Sequence, residues 1–61
     1  MKRQVLGIEY EIPTNFDEMW ALQRFLFNKA YAWGRKGRDD YARKIFDEYY
    51  KAERIFILGE E

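Results

Sequence analysis

The side chains that could do chemistry in this chain are few, and they form no recognisable catalytic set. Serine, cysteine and histidine are absent from the 61 residues, so Ser-His and Cys-His pairs cannot form. Thr14 and the tyrosine hydroxyls remain as nucleophiles, without an obvious neighbouring base. We therefore predict that the protein is not an enzyme and needs no cofactor.

The carboxylates offer one weak arrangement for a metal ion. Asp40 and Asp47 lie two turns apart on a predicted helix and could share a hard cation, but Lys44 lies between them. The ligands fall far short of the six or more oxygens that calcium takes, and zinc would want histidine or cysteine. We predict no metal site here, only a solvated charged face.

A basic turn is the second candidate for chemistry. Residues 31–44 carry five basic and two acidic side chains, whereas residues 45–61 carry two basic and five acidic ones, and the whole chain is neutral. Basic side chains near a helix N-terminus could grip a phosphate, although Asp39 and Asp40 would repel it. A solvated loop is the favoured interpretation. The candidate phosphate contacts are Arg35, Lys36, Arg38 and Arg43.

Aromatic residues are the most informative feature of the composition. The chain has five Phe, five Tyr and two Trp, which is more than a domain this small would be expected to bury. Phe25 falls on the polar side of the first predicted helix, so it is the leading interface candidate. Aromatic side chains are typical anchors of protein interfaces. The predicted interface residues are Phe25, Trp20, Tyr31, Tyr50 and Phe56.

The elements that must position these side chains can be predicted from periodicity. Alternating apolar residues predict a strand over residues 4–12. Asn15 and Glu18 have the spacing of a capping box, so a helix should begin near Phe16, and Gly34 should follow its end. A second amphipathic helix is predicted over residues 40–52. The β-branched and aromatic run 55–58 predicts a second strand.

The predicted fold is a single α+β domain, residues 1–61, with the order β-α-α-β. A helical hairpin would pack on a short antiparallel two-stranded ribbon. A ribbon of two strands protects its edges poorly, so it could extend across a dimer by edge pairing. We expect a homo-oligomer for this reason and because of the aromatic surplus.

The order strand, helix, glycine-containing turn, helix resembles the ribbon-helix-helix DNA-binding dimers. The resemblance lies in the stretch from Ile8 to Pro13, in Gly34-Arg35, and in residues 41–46. It implies that paired strands would present Arg3 or Gln4 to DNA. A ribbon-helix-helix-like DNA-binding dimer is therefore the alternative function, in which nucleic acid is the partner.

The preferred function is a non-enzymatic protein-interaction module that uses an aromatic helical surface and a sheet edge. Self-association, a partner protein, or both would occupy these surfaces, as in a small inhibitor or adaptor. No apolar segment resembles a secretory signal or reaches the 18 residues of a membrane span, so we expect a cytoplasmic protein that does not bind membranes. The composition fits a heat-adapted source and also a designed mini-protein.

Overall fold

Two antiparallel strands are followed by two antiparallel helices in the computed structural model, which describes residues 2–59. The elements are β1 (Lys2–Val5), β2 (Ile8–Glu11), α1 (Phe16–Arg35) and α2 (Asp39–Leu58). The predicted α+β class is confirmed, with a helical hairpin packed on a two-stranded antiparallel ribbon. The predicted order β-α-α-β is wrong, because both strands precede the helices.

The ribbon is a tight hairpin rather than two distant terminal strands. Val5 pairs with Ile8, and Leu6 and Gly7 form a two-residue turn with φ angles of 49° and 81°. Positive φ at both positions is the geometry that matches the twist of a β-hairpin. The sequence pattern did not reveal this turn. Leu6 is two residues before Ile8 and four before Tyr10, so it fits the alternation of apolar residues expected for a single strand.

Helix α1 begins where the capping box predicts. The side chain of Asn15 accepts a 2.8 Å hydrogen bond from the backbone N–H of Glu18, and the Glu18 carboxylate accepts one of 3.0 Å from the N–H of Thr14. The predicted end is wrong by about one turn. Gly34 is helical, and Gly37, with a φ of 79°, supplies the left-handed residue of a C-terminal motif in which the N–H of Arg38 bonds to the carbonyl of Trp33.

Helix α2 continues through the residues for which a second strand was predicted. Residues 55–58 are helical, and Gly59 ends the helix with a φ of 71° and a hydrogen bond from its N–H to the carbonyl of Ile55. The core-facing series continues from Tyr49 through Ala52 to Phe56, which contacts Phe16 of α1. Tertiary packing of this series outweighs the β propensity of the isoleucines.

The core is the seam between the helices, capped on one side by the hairpin. Leu26 and Ala30 of α1 and Ile45 and Ala52 of α2 are fully buried in the seam. The hairpin adds side chains from both strands to this core, and the Tyr10 side chain is buried there. The hairpin therefore shields one side of the helix pair and leaves the other side open.

Candidate functional site

The open side of the helix pair carries a set of large apolar side chains, which we call the open helical face. At about 100° per residue, Phe46 and Tyr50 lie some 160° around α2 from Glu48, the α2 residue that the hairpin contacts. The face is therefore on the opposite side from the hairpin. Its members are Phe16, Trp20, Phe27 and Tyr31 of α1 and Phe46, Tyr50 and Ile57 of α2.

Edge-to-face ring contacts hold this face together across the seam. The rings of Phe27 and Phe46 have centroids 5.1 Å apart, and those of Tyr31 and Phe46 are 6.0 Å apart. At the other end, Phe16 and Phe56 meet at 5.2 Å. These distances and near-perpendicular planes are those that aromatic pairs prefer. The face is thus ordered by contacts within the chain before any partner arrives.

Much of the aromatic surplus is exposed on this face. The relative exposure is 69% for Trp20, 65% for Phe16, 57% for Tyr31 and 54% for Tyr50. Single exposed apolar residues are common, but a cluster of this kind is typical of an interaction site. Of the predicted interface residues, Trp20, Tyr31 and Tyr50 therefore share one surface, whereas Phe56 is half-buried beneath it.

The face has a hollow at the end nearest the turn between the helices. Small residues Ala30, Gly34 and Ala42 leave an open depression of about 410 Å³, bordered by Tyr31 and Phe46. Apart from its two chain neighbours and the nearby backbone of α1, a Cβ atom added to Gly34 would meet no atom of the described chain within 4 Å. The hollow can therefore accept an apolar side chain from outside the molecule.

Phe25 lies on a different surface from the other exposed rings. It is 180° around α1 from Phe16 and borders a cleft with Tyr10 and Pro13, on the hairpin side. Its ring is 42% exposed, and the Lys29 ammonium lies 5.7 Å from the ring centroid. The residue predicted as the leading anchor is thus separated from Trp20 and Tyr31 by the body of the helix.

The basic turn does not gather its cations around one point. The Arg38 guanidinium stacks on the ring of Tyr41 at 3.9 Å and pairs with Asp40 at 3.4 Å, and the Lys36 ammonium lies 5.2 Å from the centroid of Trp33. Arg35 borders the hollow, and Arg43 lies in a separate depression with acidic neighbours. Two of the four candidate phosphate contacts, Lys36 and Arg38, therefore contact aromatic rings or a carboxylate of their own chain.

A buried polar cluster joins the hairpin to α2, and sequence reasoning missed it. Glu48 is 7% exposed and its Oε1 accepts hydrogen bonds of 2.7 Å from Arg3 Nε and 2.6 Å from the Tyr10 hydroxyl. The only signal available was an acidic residue between the core positions Ile45 and Tyr49 of an amphipathic helix. Arg3, which the ribbon-helix-helix resemblance assigned to DNA, is used inside the fold.

The electrostatics of this cluster favour a charged pair. Burial raises the pKa of the Glu48 carboxyl, but the hydrogen bonds from Arg3 and Tyr10 outweigh burial and leave the pKa below its ordinary value. The bond to Glu48 raises the pKa of Arg3. Burial, followed by the bond to Glu48, raises the pKa of the Tyr10 hydroxyl, so it stays protonated and donates.

Other kinds of site find little support in the part of the chain that the structure describes. Within residues 2–59, no group of three or more acidic, histidine or cysteine side chains is placed to hold a metal ion. Neither described helix combines the length and the apolar character needed to cross a bilayer.

Comparisons with known proteins identify no relative of this chain. No family model, no curated protein and no solved structure matches it.

Proposed function

We propose that this chain is a non-enzymatic protein-interaction module whose binding surface is the open helical face. The observation that carries the proposal is the clustering of four aromatic side chains, each more than half exposed, on the one side of the helix pair that the hairpin does not cover. Aromatic anchors of this kind supply most of the binding energy in protein interfaces. Ring contacts of Phe16, Tyr31 and Tyr50 within the chain reduce the ordering that binding would require.

Protein binding fits the chain better than chemistry does. Within residues 2–59, the one polar cluster at depth, formed by Arg3, Tyr10 and Glu48, satisfies its own hydrogen bonds between the hairpin and α2. The open face carries rings and a hollow, with Glu53 at the seam accepting a 3.2 Å hydrogen bond from the Tyr49 hydroxyl. Such a surface can bury apolar area against a partner, and it offers no activated nucleophile.

The substitution Trp20→Glu tests the proposed surface. We expect it to weaken binding of a partner protein by at least about tenfold, because a buried tryptophan anchor is lost and a charge is placed in an apolar interface. The immobilised chain is first used to capture a partner protein from a lysate of the cells that make this chain. The purified partner is then titrated by calorimetry. Trp20 is 69% exposed, so the fold should survive the change.

Phe25→Glu is the matched control, since it makes the same kind of change on the opposite side of α1. Retained binding in this variant, together with loss in Trp20→Glu, supports the open helical face. The reverse result would place the binding surface on the hairpin side and would remove the open face as the site.

The DNA-binding alternative predicts a different response to salt. Binding driven by phosphate contacts weakens steeply as salt is added, whereas burial of aromatic rings changes little. The hairpin is completed within one chain, so the fold departs from the single leading strand that carried the resemblance. A salt-sensitive shift of labelled duplex DNA that is lost on charge reversal of Arg35 and Lys36 would favour the DNA-binding function instead.

A further inference from the structure

We propose that the open helical face is covered by a second copy of this chain, turned end for end, so that Phe16 and Trp20 of each copy lie over the hollow of the other. This inference rests on the proposed function, because it names the partner of the same surface. The result would be a four-helix core with the two hairpins on the outside. It differs from the edge pairing of ribbons expected from the sequence.

The shape of the face supports this arrangement. Projecting rings, Phe16 and Trp20, lie at one end, and the hollow around Gly34 lies at the other, about 21–27 Å away along α1 at 1.5 Å per residue. A face that carries a projection and a matching hollow is self-complementary when a twofold axis reverses one copy. The single interface of the dimer then fills the hollows of both copies.

The twofold axis of the proposed dimer determines which residues of the two α1 helices meet. If the two α1 helices lie antiparallel with their midpoints together, residues equally far from the midpoint of Phe16–Arg35 meet. Trp20 then faces Tyr31 of the second copy, and Phe16 faces Arg35 of the second copy. The first pair is aromatic and the second places a cation near a ring, so both contacts are favourable.

The distribution of charge also selects the end-for-end orientation. The turn end, residues 31–44, has five basic and two acidic side chains. The opposite end begins α1 with Asp17 and Glu18, and α2 places Glu53 there between Lys51 and Arg54, so that end is nearly neutral. Reversal brings the basic end of each copy to the nearly neutral end of the other, whereas packing with both turns at the same end would bring two basic clusters together.

The area of the face matches what a stable dimer needs. A large aromatic side chain offers roughly 150–250 Å², so Phe16, Trp20, Tyr31 and Tyr50, each at least half exposed, contribute on the order of 500 Å². Exposed Ile57 and the half-buried rings of Phe27 and Phe46 add to this. The sum approaches the roughly 800 Å² per partner of a standard protein interface.

Sedimentation equilibrium of the purified chain, over a concentration series reaching about 1 mM, tests the dimer. We expect the wild type to dimerise. Trp20→Glu should raise the dissociation constant at least about tenfold, and Gly34→Leu should do the same because leucine fills the hollow. Phe25→Glu should leave the dissociation constant unchanged.

Gly34→Leu separates loss of the dimer from loss of the fold. Apart from its chain neighbours and the nearby backbone of α1, a Cβ at this position meets no atom within 4 Å, and leucine favours helix over glycine. The helical circular dichroism of this variant should therefore be kept or increased. A Gly34→Leu protein that is well folded and still dimerises like the wild type overturns the proposal.

A spin label attached through Lys36→Cys tests the orientation, and the absence of other cysteines makes the labelling specific. In the end-for-end dimer the two turns lie at opposite ends of helices of 20 residues, so the labels should be about 30 Å apart by pulsed dipolar spectroscopy. A distance below about 20 Å would mean that the two turns share one end, which overturns the proposed orientation.

Failure of this inference can be told from failure of the proposed function. A chain that stays monomeric throughout the concentration series overturns the second-copy proposal. If such a monomer still captures a partner that Trp20→Glu releases, the open helical face remains the binding surface for a different protein. If neither self-association nor partner capture responds to Trp20→Glu, both proposals are wrong.

Discussion

Glu48 links the hairpin to the helices through three side chains from three elements. Its carboxylate is buried in α2 and accepts bonds from Arg3 of β1 and Tyr10 of β2. Removing one partner of a buried, charge-assisted cluster leaves the remaining groups desolvated and unpaired, which costs more than the bond itself contributes. This residue therefore adds a buried polar contact between the hairpin and the helix pair, beside the apolar packing of both strands.

We expect Glu48→Gln to lower the free energy of unfolding by about 1–3 kcal/mol, because the amide keeps the shape and gives up the charge-assisted bonds. Urea denaturation at neutral pH measures the difference. Glu9→Gln is the matched control, since Glu9 is exposed on the outward face of β2 and its loss changes the net charge equally. Equal effects of the two substitutions would show that the cluster adds nothing.

The same residue predicts how stability changes in acid. The folded-state pKa of Glu48 lies below its ordinary value of 4.5, so the unfolded chain binds the proton first as pH falls. The contribution of Glu48 is fully present above the unfolded pKa and is lost as pH falls through the folded pKa. Between about pH 5 and pH 3 the wild type should lose more stability than Glu48→Gln does. Parallel acid curves for the two proteins would contradict this.

At the scale of elements, the hairpin turn carries an unfavourable residue. Leu6 adopts a φ of 49°, in the left-handed region that asparagine and glycine tolerate better than leucine. We expect Leu6→Asn to stabilise the fold by about 0.5–1 kcal/mol, measured as an increase in the urea midpoint at an unchanged slope. A decrease would show that the partly exposed leucine side chain contributes more by packing than its backbone conformation costs.

The elements differ in how well their sequence predicts them. The start of α1 was predictable because Asn15 and Glu18 make a local signal that needs no tertiary context. The hairpin was not, because Leu6-Gly7 is a weak turn pair and Leu6 preserves the apolar alternation. Helix was missed at residues 55–58 because the isoleucines favour strand, whereas the contact of Phe56 with Phe16 forms only once both helices are in place.

The candidate site was only partly predictable for the same reason. Composition shows that aromatic residues are in surplus, and helical spacing brings Trp20 and Tyr31 onto one side of α1. Whether that side is covered depends on where the hairpin packs, which no local pattern encodes. Phe25 illustrates this, because its exposure was anticipated and its separation from the other rings was not.

At the scale of the whole molecule, the proposed dimer makes thermal stability depend on protein concentration. A partner that binds only the folded state stabilises it by mass action, so the midpoint of thermal unfolding should rise by several degrees Celsius with each tenfold increase in concentration. Scanning calorimetry across dilutions measures the trend. Gly34→Leu should show this trend only at concentrations at least about tenfold higher, and a trend identical to that of the wild type would contradict the dimer.

The short connections of this chain have a kinetic consequence. Two residues join β1 to β2, and three join α1 to α2, so the hairpin and the helix pair each form from near neighbours in sequence. The bonds from Glu48 to Tyr10 and Arg3 close loops of 38 and 45 residues. Chains dominated by local contacts cross their folding barrier within microseconds to milliseconds. Because these bonds need both units in place, we expect docking of the hairpin on the helix pair to be a late step of folding.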